Sequence, residues 1–559
     1  MQHYTSGHCT ILACPGSGKT RVLSARAAHL LANNEKGRLC AVTFTRDAAD
    51  ELRSRILLAC GPGHARRLAD GTFHSLALAQ IKRFSKGKPP RLLAEGERLA
   101  VLRRCWKQHA PGLSFENVIQ GIDRVKSRLA LPVFSDPALE SVFHGYQDLM
   151  ESEGSMDFSD LLLTTVRKMT SGEMSPLPIR WLLVDEAQDM DEVQMEWILL
   201  HGRSGIEVTL VGDDDQSLYA FRHALGYEGL QEVTFALSAT ETTLPINYRC
   251  APNILTHAAK LIEHNKNRAP KKISAHKEVS GEINVLRLPD RWAEVDQIGN
   301  TIINGGDKQE WAILSRTNLI LDASEVALTD MGIPYRRTGG KSIWEHSIGS
   351  VFAGLLRSAV DDSWTGIANA LSFCGIHADW VNNHSRRTSG GCAGRLDAAI
   401  DQVPEDASRK TIVRLRMGLS SWCDQIAKGR SALVVHGIAG FLADYCKPNQ
   451  VNMLYKLEAA VARMPGTLAQ RLSALGRNVQ ARQQPTIQIM TLHASKGLEF
   501  DNVWIMGCED GNLPHTDSTE EDERRLLYVG MTRARNRLVL SSAMEEGLES
   551  RFLSESGLD

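Results

Sequence analysis

Short apolar runs recur along this chain, and each ends in glycine, acidic or other polar residues. They lie at 10–13, 39–46 (LCAVTFTR), 180–189 (RWLLVDEAQD), 208–217 (VTLVGDDDQS), 283–288 (INVLRL), 311–316 (WAILSR), 487–493 (IQIMTLH), 502–507 (NVWIMG) and 537–543 (RLVLSSA). Such runs are typical of buried parallel strands whose carboxyl ends line a ligand crevice. Because helical periodicity separates them, the pattern predicts an α/β fold with two cores in tandem.

Two long helical stretches interrupt the strand pattern. We predict a first core at 1–81 and 178–243 with a helical insertion at 82–177, and a second core at 244–357 and 483–559 with a helical insertion at 358–482. Within the first insertion, residues 82–128 carry twelve Lys or Arg against four Asp or Glu. This basic segment is either a solvated helix face or a surface for nucleic acid.

Composition narrows the class of protein. At 559 residues the chain is too long for one core, and its 43% hydrophobic and 23% charged residues are those of a globular protein. A net charge of -2 means that any nucleic-acid surface must be local. Eleven cysteines without a C-x-x-C pair argue against a zinc ribbon, an iron–sulfur cluster or a disulfide framework. With no leader-like or membrane-length apolar run, we predict a soluble cytoplasmic protein.

A glycine-rich loop follows the first apolar run and opens a helix. It consists of Ala13, Cys14, Pro15, Gly16, Ser17, Gly18, Lys19 and Thr20. The loop matches the phosphate-binding pattern that ends in G-K-[ST], although Ala13 replaces its usual first glycine. Glycines allow the backbone N–H groups to form a cradle at the positive end of a helix. In this pattern Lys19 reaches the β- and γ-phosphates, and the Thr20 hydroxyl binds Mg²⁺.

Acidic and amide side chains follow two of the later apolar runs. Asp185 and Glu186 come directly after WLLV, so Asp185 can hold Mg²⁺ and Glu186 can orient or deprotonate a water molecule. Gln216 follows the run at 208–212 and is expected near the same crevice. An amide there suits the sensing of water or γ-phosphate, because it donates and accepts hydrogen bonds without a change of charge.

The order of these segments resembles that of the UvrD/Rep/PcrA group of superfamily 1 DNA helicases over nearly the whole chain. Besides the phosphate loop, the matching segments are TFTRDAADELRSRI, GTFHS, MDFSDLL, LLVDEAQD, VGDDDQSLYAFR, LPINYR, AILSRTN, TLHASKGLEF and ERRLLYVGMTRAR. The resemblance implies two RecA-like cores with nucleotide between them and single-stranded DNA across their tops. It also implies a DNA-stimulated ATPase that requires ATP and Mg²⁺.

The resemblance assigns further residues to the nucleotide. Arg249 and Arg533 are implied to be arginine fingers contributed by the second core, which suits the planar guanidinium group. Tyr248 is implied to stack on the adenine and Glu499 to meet the ribose, while Arg21 is a further nucleotide contact. Family members usually carry an adenine-reading glutamine well upstream of the loop. Here only Gln2 precedes the loop, at a shorter separation, which leaves selectivity for ATP open.

For DNA, the resemblance implies aromatic, hydroxyl and basic contacts. The residues are Phe44, Thr45, His74, Tyr219, Phe221, Arg222, Thr491 and His493. Aromatic side chains suit the stacking of bases without sequence readout, and hydroxyl groups and arginine suit the backbone. The predicted partners are single-stranded DNA and duplex/single-strand junctions, along which the family moves 3′ to 5′ while it unwinds duplex.

Two other interpretations stay open at the sequence level. Short chains of this kind also resemble the helicase component of the Gabija phage-defence system, which works with a nuclease-bearing ATPase. The alternative function is therefore an ATPase and DNA-end sensor that controls a partner nuclease and unwinds weakly alone, and a repair protein is a further candidate partner. A P-loop protein that acts on small molecules or other proteins is the third class.

Overall fold

The computed structural model describes residues 7–85, 90–130, 133–134, 136–219, 223–305, 310–377, 380, 383, 390–400, 402–403, 406–479 and 487–559. The chain forms two compact units. The first comprises Met1–Val279 and Glu520–Thr532, and the second comprises Ser280–Thr519 and Arg533–Asp559.

A six-stranded parallel sheet forms the centre of the first unit. In chain order the strands of this unit are β1 (Cys9–Ala13), β2 (Leu39–Thr43), β3 (Leu68–Thr72), β4 (Arg91–Leu92), β5 (Ser155–Met156), β6 (Trp181–Val184), β7 (Glu207–Gly212), β8 (Thr240–Leu244), β9 (Ile246–Asn247) and β10 (Ser274–Ala275). The sheet order is β3-β2-β6-β7-β1-β8. Every residue of β1, β2 and β6 is buried, which explains their continuous apolar sequences.

The helices of the first unit pack on this sheet or belong to the helical insertion, and several begin at a side chain that caps the first turn. They span Lys19–Ala32, Arg46–Cys60, Phe73–Phe84, Glu95–His109, Phe115–Lys126, Pro137–Ser152, Phe158–Thr170, Glu192–Arg203, Gly226–Ala236, Pro252–Ile262 and Glu520–Met531, with 3₁₀ turns at Pro62–Arg67, Ala187–Asp189 and Asp214–Gln216. Thr45 accepts a hydrogen bond from the Ala48 N–H (3.2 Å), and Asp157 accepts one from the Asp160 N–H (2.9 Å). Such caps satisfy backbone donors that have no partner inside the helix.

A separate apolar core holds the helical insertion of the first unit together. It includes Leu102, Val118, Ile122 and Tyr146, contributed by three helices. These residues recur at helical spacing along their helices, so one face of each helix is buried. The predicted helical character of this stretch is confirmed, and the only strands among its described residues are β4 and β5.

One histidine of the first unit is held in its neutral form. His201 is fully buried, its Nδ1 lies 2.7 Å from the Trp197 carbonyl oxygen, and its Nε2 accepts the Leu177 N–H at 3.1 Å. Nδ1 must therefore carry the proton and Nε2 must not. Burial lowers the pKa of His201 to about 4.

A second six-stranded parallel sheet forms the centre of the second unit. Its strands are β11 (Glu282–Leu288), β12 (Trp311–Ser315), β13 (Arg336–Thr338), β14 (Ile487–Thr491), β15 (Phe500–Ile505) and β16 (Ala534–Ala543). They lie in the order β11-β16-β15-β12-β14-β13, and all described neighbours are parallel. The predicted fold class, two parallel α/β cores, is therefore confirmed.

Some helices of the second unit pack on its sheet, and most of the others build a large apolar core of their own. The helices span Arg291–Gly305, Asn318–Asp330, Ser347–Asp361, Trp364–Phe373, Gly391–Ile400, Asp406–Ala427, Ser431–Ala443, Pro448–Arg463, Leu468–Val479 and Arg551–Glu555, with 3₁₀ turns at Ile343–Glu345 and His493–Ser495. Phe352, Leu415 and Leu457 are among its fully buried side chains. No described helix in either unit is long and apolar enough to cross a membrane.

Candidate nucleotide-binding site

The glycine-rich loop has the geometry that its sequence predicts. It follows β1 and leads into the helix Lys19–Ala32, and Gly16 and Gly18 adopt positive φ angles of 60° and 79°. Ser17 turns the loop back, because its hydroxyl donates to the Cys14 carbonyl at 2.8 Å. The described first turn of the helix contains no acidic side chain. The backbone N–H groups of this turn are therefore suited to bind an anion.

The loop and the end of β6 bring together the two parts of a hydrolytic site. Thr20 Oγ1 donates to Asp185 Oδ2 at 3.3 Å, and Lys19 Nζ lies 3.4 Å from Glu186 Oε1. Glu186 has a φ of 53°, a left-handed conformation that is rare for a residue with a side chain. Such backbone strain is concentrated at functional sites, where the surrounding structure enforces it.

The residues near Asp185 fit a Mg²⁺ ion. A hydroxyl and a carboxylate are the hard oxygen ligands that Mg²⁺ prefers, and here they are neighbours. Burial raises the pKa of Asp185 to about 6, the negative charge of Glu186 adds to this rise, and Lys19 opposes it. The two carboxylates are thus short of positive charge, which a divalent cation held by Thr20 and Asp185 would supply.

Two glutamines connect Glu186 with the segment that follows β7. Gln188 donates from Nε2 to Glu186 Oε2 at 2.6 Å, and its Oε1 accepts the Asp213 N–H at 2.9 Å. Gln216 in turn donates to Asp213 Oδ2. Asp213 Oδ2 is also 4.0 Å from Lys19 Nζ. A change in the position of one of these side chains can therefore alter the positions of the others, because hydrogen bonds connect them.

Arg249 belongs to the first unit, and not to the second core from which the resemblance implies it, because its segment is bonded to the phosphate loop. The Tyr248 N–H donates to the Gly16 carbonyl at 3.0 Å, and Asn247 Nδ2 donates to the Pro15 carbonyl at 2.7 Å. Asn247 Oδ1 accepts the Arg249 N–H at 2.9 Å. This buried asparagine thus fixes both the loop and the backbone of the arginine.

A cleft of about 580 Å³ opens beside the loop, within the first unit. It is lined by Gly16, Ser17, Gly18, Arg21, Val22, Ala25, Arg26, Leu244, Pro245, Ile246 and Tyr248. Tyr248 is 53% exposed, and its ring centroid lies 4.7 Å from that of His276. An apolar wall, an exposed aromatic ring and an arginine suit a planar base next to a phosphate site. The structure thus brings Arg21 and Tyr248 together beside the phosphate loop, whereas Gln2 lies outside the described residues.

Four predicted site residues lie in the second unit. Arg533 is buried and donates from Nη1 to the Leu498 carbonyl at 3.1 Å, and Glu499 Oε1 lies 2.8 Å from Arg535 Nη2. Thr491 ends β14, and its hydroxyl accepts the Ala494 N–H at 3.3 Å. Burial lowers the pKa of His493 to about 4, and the positive charge of Arg316 adds to the effect.

The predicted DNA contacts of the first unit follow β2 and β3, except Tyr219, which comes after β7. Phe44 packs against Phe73 with a centroid distance of 5.3 Å, Thr45 is exposed, and Tyr219 is half-buried. The ring of His74 lies 6.3 Å from that of Phe158, which is 43% exposed. Phe221 and Arg222 lie outside the described residues.

Sequence reasoning missed several residues of this site. Asn247 and Gln188 lie inside matching segments, but only the structure shows what each holds. Phe158 starts a helix within the matching segment MDFSDLL, and only the structure shows that its side chain is 43% exposed. Nothing in the sequence singled out Lys271, because a lysine is expected on the surface, whereas the structure shows that this one is buried.

Comparison with known proteins gives the family. The model of the UvrD/REP helicase N-terminal domain matches residues 1–227, and that of the UvrD-like helicase C-terminal domain matches 242–352 and 457–545. DNA helicase II of Escherichia coli (strain K12) is 30% identical, over 98% of this chain and 85% of its own length. The chain belongs to the UvrD/REP helicase family.

Other members of this family are similar over almost the whole chain. ATP-dependent DNA helicase Rep of Escherichia coli (strain K12) is 29% identical, over 97% of this chain and 90% of its own. ATP-dependent DNA helicase PcrA of Bacillus subtilis (strain 168) is 27% identical, over 99% of this chain and 84% of its own. The predicted family and enzyme class, an ATP-dependent DNA helicase, are confirmed, and a P-loop protein that acts on small molecules is set aside.

Proposed function

We propose that this chain uses ATP hydrolysis to move 3′ to 5′ along single-stranded DNA and to unwind duplex DNA at junctions. The observation that carries the proposal is the convergence of four segments within one unit: the phosphate loop, the end of β6, the turn after β7 and the segment of Arg249. The names of the relatives, which are ATP-dependent DNA helicases, support the same function.

These contacts support the following roles at the nucleotide. Lys19 and the loop N–H groups bind the β- and γ-phosphates of ATP, and Thr20 with Asp185 holds Mg²⁺, which when bound offsets phosphate charge. Glu186 orients and deprotonates the attacking water, since it is the carboxylate next to Lys19 that is not bonded to Thr20. The proton of this water passes to Oε1 or Oε2 of Glu186, and Gln188 donates a hydrogen bond to Oε2.

Further nucleotide roles rest on position and on the family. Arg249 stabilises charge that develops on the γ-phosphate, and the hydrogen bond that fixes its backbone to Asn247 supports this role. Tyr248 and Arg21 contact the base, and their position in the lining of the cleft supports this role. Arg533 as the second arginine finger and Glu499 at the ribose rest on family resemblance.

Coupling to DNA is proposed to pass through the segment after β7. Gln216 is bonded to Asp213 at the nucleotide site, and Tyr219 is three residues later in the chain. Burial and the positive charges of Arg124 and Arg128 lower the pKa of His223, so these two arginines lie near the far end of the same segment. A shift of this segment during hydrolysis can thus move side chains that contact DNA.

The proposed path of the single strand uses aromatic and basic side chains. Phe44, His74, Phe158 and Tyr219 supply stacking surfaces, and Arg124 supplies charge for the phosphates. This assigns a nucleic-acid role to part of the basic segment at 82–128.

A strand-displacement assay on duplexes with a 3′ or a 5′ single-stranded tail tests the proposal. We expect displacement from the 3′-tailed substrate, with ATP and Mg²⁺ only, and none for the Lys19→Ala variant. Displacement from the 5′-tailed substrate alone would contradict the polarity. DNA-stimulated hydrolysis without any displacement would favour the alternative, an ATPase that senses DNA ends for a partner nuclease, which stays a prediction.

A further inference from the structure

Three consecutive aspartates are buried beside the nucleotide site. Asp213, Asp214 and Asp215 are all at most 2% exposed, and oxygen atoms from the three lie within 4.8 Å of one another. Three carboxylates this close repel one another strongly unless positive charge lies among them. The cluster has the spacing of a metal site, yet side chains of the same unit supply its positive charge.

Lys271 supplies the central charge. Its ammonium nitrogen lies 2.9 Å from Asp213 Oδ1, 2.6 Å from Asp214 Oδ1 and 3.2 Å from Asp215 Oδ2. It also donates to the Ala13 carbonyl at 3.0 Å, where β1 passes into the phosphate loop. Its side chain is 1% exposed, so this ammonium group joins the acidic cluster directly to the loop.

Asp213 connects Lys271 to the reacting end of the site. Its Oδ1 faces Lys271, while its Oδ2 accepts from Gln216 and lies 4.0 Å from Lys19. Because Lys271 neutralises one side of this carboxylate, Lys19 remains available for phosphate. Without Lys271, Asp213 would be an uncompensated buried anion whose nearest cation is the lysine that binds ATP.

The segment that carries Lys271 is also bonded to the backbone that presents Arg249. The Ser274 N–H donates to the Pro245 carbonyl at 3.0 Å, and the His276 N–H donates to the Asn247 carbonyl at 2.7 Å. Lys271 therefore stands where three segments of the site meet: the phosphate loop, the turn after β7 and the strand before Arg249.

We infer that Lys271 is a positioning residue for ATP hydrolysis, which sets the charge of Asp213 so that Lys19 and Gln216 are held ready for the triphosphate. The inference rests on the proposed function only for the identity of the reaction. Lys271 contacts no reacting atom itself and acts through Asp213.

Arg268 offers a matched control within the same cluster. Its guanidinium group makes two hydrogen bonds to Asp215, at 2.8 and 2.9 Å, whereas Gln216 donates to Asp213. An Arg268→Gln change removes a partly buried cation of the same cluster, whose side chain is 13% exposed, but leaves the contacts of Asp213 in place. Any effect specific to Lys271 must therefore exceed the effect of Arg268→Gln.

The test compares the full-length parent with Lys271→Met, Asp213→Asn, the double variant and Arg268→Gln. Affinity for a fluorescent ATP analogue is measured without DNA, and kcat and KM for ATP are measured with saturating oligo-dT. We expect Lys271→Met to weaken nucleotide binding by about tenfold or more and to lower kcat, and Arg268→Gln to change either by less than about threefold. In the Asp213→Asn background, the same Lys271→Met change should weaken nucleotide binding by less than about threefold, because the charge on which Lys271 acts is gone.

Several outcomes would overturn the inference. They are an unchanged nucleotide affinity in Lys271→Met, an equal loss in Arg268→Gln, or an undiminished effect of Lys271→Met in the Asp213→Asn background. If Lys271→Met alone fails to fold, as circular dichroism would show, the comparison of Asp213→Asn with the double variant still decides. A parent without DNA-stimulated hydrolysis would refute the proposed function, while the DNA-free titration would still test Lys271.

Discussion

A methyl group added to Gly16 should disturb catalysis far more than one added to Gly18. Both glycines have positive φ, so alanine costs about 1–2 kcal/mol of backbone strain at either position. A Cβ at Gly16 would lie 2.7 Å from Arg249 Cβ and 3.2 Å from Asn247 Nδ2. A Cβ at Gly18 would meet Arg21 Cβ at 3.8 Å, an ordinary contact. The two variants therefore share the strain and differ in the clash.

The size of the difference follows from the displacement that the clash requires. Ordinary contact begins at 3.4 Å, so Arg249 Cβ must move by about 0.7 Å, and because this atom is attached to the main chain the backbone must move with it. A misplacement of 1 Å at a catalytic group can lower a rate about 10²-fold. We expect kcat of Gly16→Ala to be about 10- to 100-fold below that of Gly18→Ala.

The assay is steady-state ATP hydrolysis with saturating single-stranded DNA, with ATP varied so that kcat and KM are obtained separately. Thermal melting of both variants checks that their stability losses are alike. If Gly16→Ala kept a kcat within about twofold of the parent, Arg249 would not be held by the loop in the way described, and its catalytic role would lose its structural basis.

Three further predictions concern catalysis, DNA binding and stability. Glu186→Gln should lower kcat about 10²- to 10⁴-fold, and ATP affinity should be unchanged or tighter because Lys19 loses a competing carboxylate. Single-turnover hydrolysis and nucleotide titration measure the two effects, and a kcat near that of the parent would refute Glu186 as the base. Phe158→Ala should weaken the binding of labelled oligo-dT, measured by fluorescence anisotropy, by the free energy of one stacked base, about 1–3 kcal/mol. Phe235→Ala changes another exposed phenylalanine of the first unit and should not weaken binding, so equal effects would exclude stacking at Phe158. His201 has a pKa of about 4 when folded and about 6.5 when unfolded, so the unfolded chain binds more protons between these values and stability falls as pH falls, by about 2 kcal/mol from pH 7 to pH 5. The melting temperature of His201→Gln should depend less on pH over this window than that of the parent, and an identical dependence would contradict the neutral, buried histidine.

Much of the fold followed from the sequence because the signals are local. Strand runs such as 180–184 and 208–212 are continuous and apolar, since buried parallel strands need no polar face, and they match β6 and β7. The phosphate loop was equally readable, because its glycines and Lys19 lie within eight residues. Asp185 and Glu186 could be predicted since polar residues at strand ends line the crevice.

The contacts that depend on distant parts of the chain could not be predicted. Lys271 is 58 residues from Asp213 and 258 from Ala13, and only the return of the chain through β10 brings it beneath the loop. Its neighbours in sequence give no hint of burial. Likewise, the bond from Asn247 to Pro15 joins residues 232 positions apart, so its role emerged only from the folded chain.

The central claim is that the site built around Lys19 and Glu186 drives directed movement along one DNA strand. Its most direct test is ATP-driven displacement of streptavidin from an oligonucleotide that carries biotin at one end. We predict release from the 5′ end, lost in Glu186→Gln, with little release from the 3′ end. Release from neither end, or from the 3′ end alone, would contradict the account.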